Sequence, residues 1–107
     1  LFGSRNLKIT DIAIFGTNKN VIKLMLEDSG VFQNALLFKD SNEFLNDLKK
    51  AYGQEAVTGL LQKSNKNIKI DVIYSIDVNN FRGNSSIELR LKSYRVNGEK
   101  DDNRRFN

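Results

Sequence analysis

Four basic side chains, Arg82, Arg90, Lys92 and Arg95, stand in one stretch, NNFRGNSSIELRLKSYR at residues 79 to 95, with two aromatic rings, Phe81 and Tyr94, among them. Guanidinium and ammonium groups contact phosphate without reading base identity, and such contacts weaken as salt rises. A ring beside them gives a base a plate to stack on, the combination that holds single-stranded nucleic acid without sequence preference. Each residue also has a plain structural use. Phe81 can fold back over the protein from its turn, Tyr94 can cap a sheet rim, and any of the cations can be a solvated surface charge. Lys19 and Lys23, with Lys8 nearby, add cations that a closed sheet would bring toward the same surface.

Other chemistries have less to work with. The chain has no cysteine and no histidine, which removes thiol nucleophiles, disulfides, imidazole bases and imidazole-built zinc sites. Its glycines form neither GxGxxG nor a Walker phosphate loop. Asp71 and Asp77 share one side of a strand pattern, yet no further ligand joins them, so they read as surface acids or salt-bridge partners. Glu27, Asp28 and Asp40 carry no clearer signal, and the sequence shows no nuclease site.

With 107 residues and 39% apolar composition, the chain has the material for one domain with a modest core. No apolar run approaches ~20 residues and no secretory pattern opens the chain, so a cytoplasmic protein with no membrane partner is the expectation. The formal charge is +4, from 17 Lys and Arg against 13 Asp and Glu. Residues 1 to 60 hold 7 basic and 7 acidic groups, whereas residues 61 to 107 hold 10 and 6, so the excess lies in the later part. Such a bias raises encounter rates with polyanions and is equally an ordinary surface property.

These side chains need elements to hold them. LFGSRN at residues 1 to 6 reads as a linker. KITDIAIF, residues 8 to 15, reads as a strand with apolar residues in both phases, hence covered on both sides, and GTNKN turns it. VIKLMLED, residues 21 to 28, aims Ile22, Leu24 and Leu26 at a core. After DSG comes VFQNALLF, residues 31 to 38, as a third strand. Asp40 with Glu43 has capping-box spacing, with Ser41 as the alternative cap. Phe44, Leu45, Leu48, Ala51 and Tyr52 form a helical apolar stripe, Lys49 and Lys50 complement the helix C-terminus, and Gly53 ends the helix.

Residues 55 to 67 have no settled assignment, because Gly59 interrupts a helical pattern and SNKN marks a loop. KIDVIYSIDV, residues 69 to 78, alternates with Ile70, Val72, Tyr74, Ile76 and Val78 on the core face. A polar loop at 79 to 86 then precedes IELRLKSYR, residues 87 to 95, with Ile87, Leu89 and Leu91 inward and Glu88, Arg90, Lys92 and Tyr94 outward. Residues 96 to 107 read as a tail. Three strands, a helical region and two strands fit a mainly β, five-stranded OB-fold barrel with a helical insertion between strands three and four. A partly open α+β sheet of the same order is the alternative.

NLKITDIAIFGTNKNVIKLML, NALLF and IDVIYSIDVNNFRGNSSIELRLKSYR together resemble the OB-fold domain that follows the catalytic core in bacterial RecJ exonucleases. The resemblance runs from about Leu7 to Arg95, and Asp71, Asn79, Phe81, Gly83, Glu88, Leu89 and Leu91 carry its most specific part. The family commonly has tryptophan where Phe81 stands and histidine where Val21 stands; Lys23 keeps a basic position, and Ser93 replaces a frequent acid. The resemblance implies residues 1 to 6 as a linker from an upstream core, residues 7 to 95 as an accessory nucleic-acid-binding domain, and 96 to 107 as a tail or extension. It implies a parent that removes nucleotides from single-stranded DNA in the 5′ to 3′ direction in repair and recombination. DHH-type catalytic domains using Mn2+ or Mg2+ would do the hydrolysis, with no cofactor in this domain. Partners would be single-stranded DNA, the catalytic core of the same chain and a possible repair protein. The expected contacts are Lys19, Lys23, Phe81, Arg82, Arg90, Lys92, Tyr94 and Arg95. A protein-interaction module, an RNA-binding barrel and an independently active enzyme are the competing readings.

Overall fold

A computed structural model describes residues 1–64 and 67–97. The chain runs β1 (Phe2–Phe15), β2 (Val21–Asp28), β3 (Val31–Phe38), α1 (Ser41–Tyr52), α2 (Gln54–Leu61), β4 (Lys69–Phe81) and β5 (Asn84–Asn97). The strands close in the order β1-β2-β3-β5-β4. Every contact between neighbours is antiparallel except β3 with β5, which is parallel. This closed mixed barrel with helices inserted between the third and fourth strands is the OB fold. The barrel was expected; the open sheet is not what forms.

Alternation builds the interior, and Ile22, Leu24, Leu26, Ala35, Leu37, Ile70, Val72, Leu89 and Leu91 are all buried there. One end is closed by α1 through buried Phe44 and Leu48, and α2 adds Val57 and Leu60. The Asp40 carboxylate caps α1 by accepting from Asn42 N–H at 2.8 Å, whereas Glu43 lies 3.7 Å from Lys39. Gly53 ends α1 at φ 93°, a conformation that L side chains resist, and α2 begins immediately after it. The stretch without an assignment therefore forms a second short helix as far as Leu61.

The observed strands depart from simple alternation in three places, each a bulge. In β1 the register against β4 shifts between Ser4 and Leu7, where Asn6 has φ 57°, and the register against β2 shifts between Ile9 and Asp11. Ile9 and Ile12 are both buried because the extra residue between them resets the phase. Both phases of β1 are apolar for that reason, and the strand is not covered on both sides: Phe15 is 50% exposed. In β5 the register against β4 jumps so that Ile73 pairs with Ser93 and Tyr74 with Leu91, which leaves Lys92 as the bulged residue. Beyond it Tyr94 turns inward and Arg95 outward, the reverse of the unbroken alternation expected.

The strands are also longer than the pattern predicts. β1 starts at Phe2, which pairs with Tyr74, and β5 continues to Asn97; residues 98–107 of the expected tail lie outside the described residues. The expected polar loop at 79 to 86 is instead a continued ladder, ending with Phe81 opposite Asn84. Only Arg82 and Gly83 turn, at φ 52° and 82°, as a two-residue hairpin turn with positive φ at both central positions demands. The β4–β5 ribbon thus runs past the barrel as an arm. Ile76, Val78 and Ile87, expected in the core, lie on the inward phase of that arm and are exposed, because no strand faces them there.

Candidate nucleic-acid interface

The turn between β2 and β3 has only Ser29 and Gly30 at its centre, at φ 52° and 85°, and that fixes the register of the whole pair. Leu36 falls opposite Lys23, and Phe38 opposite Val21. Continuing across the barrel, Ala13 pairs with Lys23, Leu36 with Arg90 and Arg90 with Ser75. Ala13, Lys23, Leu36, Arg90 and Ser75 therefore form one outward row across all five strands. Lys23 and Arg90 stand two strand spacings apart, roughly 10 Å. The neighbouring row is Phe15, Val21 and Phe38, so two rings flank a valine. Phe15 and Phe38 are 50% and 59% exposed.

Lys19 lies just beyond this aromatic row, in the turn from β1 to β2. Its N–H donates to Gly16 O at 3.0 Å, and its carbonyl accepts from Ser41 N–H at 3.1 Å, which ties the turn to the start of α1. Gly16 is required here: its φ is 94°, and a Cβ would stand 2.8 Å from Asn20 Oδ1.

The cations differ in what already holds them. Arg90 Nη2 is 3.0 Å from Asp77 Oδ2, Arg90 Nε is 3.9 Å from Glu88 Oε1, and the guanidinium lies 5.7 Å from the Phe38 ring centre. Asp77 and Glu88 face each other directly across β4 and β5, and Arg90 offsets their repulsion. Arg95 donates from Nε and Nη2 to Asp71 Oδ2 at 3.1 and 2.7 Å. Asp71 Oδ1 accepts from Asn6 N–H at 2.9 Å and Asn97 Nδ2 at 2.6 Å. Burial works against the charge on Asp71, but these donors outweigh it and hold its pKa below the usual carboxylate range. Lys19, Lys23 and Lys92 have no carboxylate within ion-pair distance among the described residues.

Of the eight expected contact residues, the fold puts Lys23 and Arg90 on one outward row, Arg90 against the Phe38 ring, with Lys19 in the turn beyond the aromatic row and Lys92 at the β5 bulge two residues on from Arg90. Arg82 sits at the arm tip, about 20 Å along the ribbon from the Arg90 row at ~3.3 Å per residue. Phe81 closes β4, and its side chain lies outside the described residues. Tyr94 is placed elsewhere: its ring packs edge-on against Phe44 at 5.1 Å between centres, and its hydroxyl donates to Asp47 on α1. Burial, that bond and the nearby charges of Asp47 and Glu43 raise its pKa. Tyr94 thus joins helix to barrel.

Phe15 and Phe38 were not singled out from the sequence. Phe38 was within reach, because a two-residue turn at Ser29 and Gly30 puts Phe38 opposite Val21 and on the face of Lys23. Phe15 depended on the bulge.

Among the described residues the acids do not assemble into a reactive group. Asp71 and Asp77 are about 20 Å apart along β4, and each is engaged by its own arginine. Asp11 is bound by Lys63, which also donates to Ile12 O at 2.9 Å; the Lys63 hydrogen bond lowers the Asp11 pKa despite an opposing contribution from burial. Among the described residues no three His, Cys, Asp or Glu side chains group as metal ligands.

A closed five-stranded barrel with helices between its third and fourth strands, and with an exposed aromatic and cationic face, defines an OB-class domain. Within that class, the chain belongs to the RecJ OB domain family, whose model matches residues 1–93. Among solved structures it is similar to the mitochondrial single-stranded DNA-binding protein Rim1 of S. cerevisiae, with 10% sequence identity, a TM-score of 0.42, and coverage of 89% of this chain and 91% of that one. No curated protein matches.

Proposed function

We propose that this chain is the single-stranded-DNA-binding domain of a RecJ-type 5′–3′ exonuclease, and that it holds the strand while hydrolysis takes place in DHH-type domains outside this sequence. The observation that carries the reading is the cross-barrel face: two exposed rings beside a row containing Lys23 and Arg90. Bases stack on Phe15 and Phe38, and Lys19, Lys23 and Lys92 meet phosphates. Arg90 is committed to Asp77 and Glu88, so it steadies Phe38 more than it attracts phosphate. Membership of the RecJ OB family supports the nuclease parent.

The domain's contribution to catalysis is then positioning: a strand held on this face reaches a remote active site as an effectively intramolecular substrate. Among the described residues no group of acids fits the Mn2+ or Mg2+ of that chemistry, and Asp71 and Asp77 are distant and ion-paired. Titration of a labelled oligo(dT) against the 107-residue chain at rising salt tests the proposal, with a matched RNA as the second arm. Binding of DNA that weakens steeply with salt is the expected result. Binding of RNA alone would reassign the domain to the RNA class.

One observation favours a second reading, a protein-docking module. Ile76, Val78 and Ile87 present apolar surface along the arm. If that is the domain's main role, oligonucleotides fail to bind at low salt while the catalytic core still does.

A further inference from the structure

A groove of about 430 Å³ lies on the outer wall of β1, β4 and β5, lined by Gly3, Arg5, Asp71, Ile73, Ser93 and Arg95 among others. Its shape comes from one cross-strand row. Ile73 pairs with Gly3 on one side and Ser93 on the other, so a large residue stands between two small ones. Ile73 forms the floor and is 47% exposed. Arg95 is held in position by its two bonds to Asp71, which Asn6 and Asn97 orient in turn. Arg5, on the bulged part of β1, is exposed and has no carboxylate within ion-pair distance among the described residues.

The groove adjoins the proposed DNA face. Ser75 ends the Lys23–Arg90 row on β4, and Ile73 is the next outward position on that strand, ~7 Å away. Along β5 the bulge at Lys92 puts Arg90, Lys92 and Arg95 on one side of the strand. Regular alternation would have turned Arg95 away. A line of cations thus leads from the aromatic face into the groove.

We propose that this groove is a second subsite for the same DNA strand, in which Arg5, Arg95 and the Ser93 hydroxyl hold backbone phosphate and Ile73 packs against sugar or base. The proposal rests on the single-strand-binding reading and extends its footprint from the barrel face onto the opposite edge of β5. The Asp71 network suits this use, since it spends one side of the Arg95 guanidinium and leaves the remaining donors toward the groove.

The test compares oligo(dT) of about 6 and about 20 nucleotides, one near the lower end of the range of single OB sites and one beyond its upper end, on the 107-residue chain. Arg5→Ala with Ser93→Asp alters two exposed residues, and a thermal melt verifies that the fold is kept. We expect affinity for the long oligonucleotide to fall about fivefold or more and its salt dependence to lessen, with the short one changed less than about twofold. Unchanged affinity for the long oligonucleotide, or equal loss at both lengths, would overturn the subsite. Lys23→Ala with Phe38→Ala serves as the counterpart and should weaken both lengths. If it weakens neither while the groove pair weakens the long one, the face assignment fails and the groove remains. If neither length binds the unaltered chain at low salt, both assignments fall.

Discussion

Lys23 and Arg90 occupy the same row with the same formal charge, yet their surroundings give them different work. Arg90 bridges two carboxylates that face each other across β4 and β5. Arg90→Ala should therefore lower stability by about 1 kcal/mol through unrelieved like-charge repulsion. Lys23→Ala should leave stability within about 0.5 kcal/mol and weaken DNA binding severalfold; urea melts and oligonucleotide titrations on the same samples separate the two. Tyr94→Phe removes the bond to Asp47 and should cost about 1 kcal/mol with no change in DNA affinity. Because the Tyr94 pKa is raised on folding, its stabilisation is complete below the unfolded value near 10 and fades as pH climbs through the native one. Asp71 works in the other direction. Its native pKa is lowered, so its contribution is present above about pH 4 and is lost as pH falls through the native value. Asp71→Asn should reduce stability at pH 7 by about 1–3 kcal/mol and flatten the acid limb of a stability profile.

At the scale of strands and turns, bulges decide which side chains meet. Deleting Lys92 would remove the extra residue and leave an unbulged ladder in which Tyr94 stays on Phe44 and Arg95 stays outward. The expected change is within about 1 kcal/mol, read by denaturant unfolding. This is also where the sequence was least legible. The core face of β2 followed from unbroken alternation and the α1 stripe from helical spacing, because each depends on a single segment. A bulge depends on how a strand meets its partner, and the sequence of β5 alone gives no reason to pair Ile73 with Ser93 but Tyr74 with Leu91. Tyr94 was consequently placed on the outer face. Residues 79 to 86 read as a loop because most are polar and one is glycine, whereas Asn80 and residues 84–86 are polar because both sides of the arm tip meet water there.

Taken as a whole, the chain divides its charge in a way that total composition conceals. The carboxylates of Asp11, Asp71, Asp77 and Glu88 are each matched with a lysine or arginine. The lysines around the aromatic rows have no such match among the described residues, so a modest +4 leaves locally uncompensated cations where a strand would lie. No helix among the described residues is long and apolar enough to cross a membrane. With no metal-ligand cluster among the described residues, the chain by itself should hydrolyse no oligonucleotide in Mn2+, and adding it to a RecJ-type catalytic core should raise turnover of long single strands. The most direct measurement is the affinity of the 107-residue chain for a labelled oligo(dT) of about 16 nucleotides, the upper end of a single OB site, across a salt series, beside the folded Lys23→Ala, Phe38→Ala variant. The account predicts binding that weakens log-linearly with salt and a loss of about tenfold or more in the variant, from one phosphate contact and one stacked base. A variant that melts normally and binds as tightly as the parent chain would contradict it.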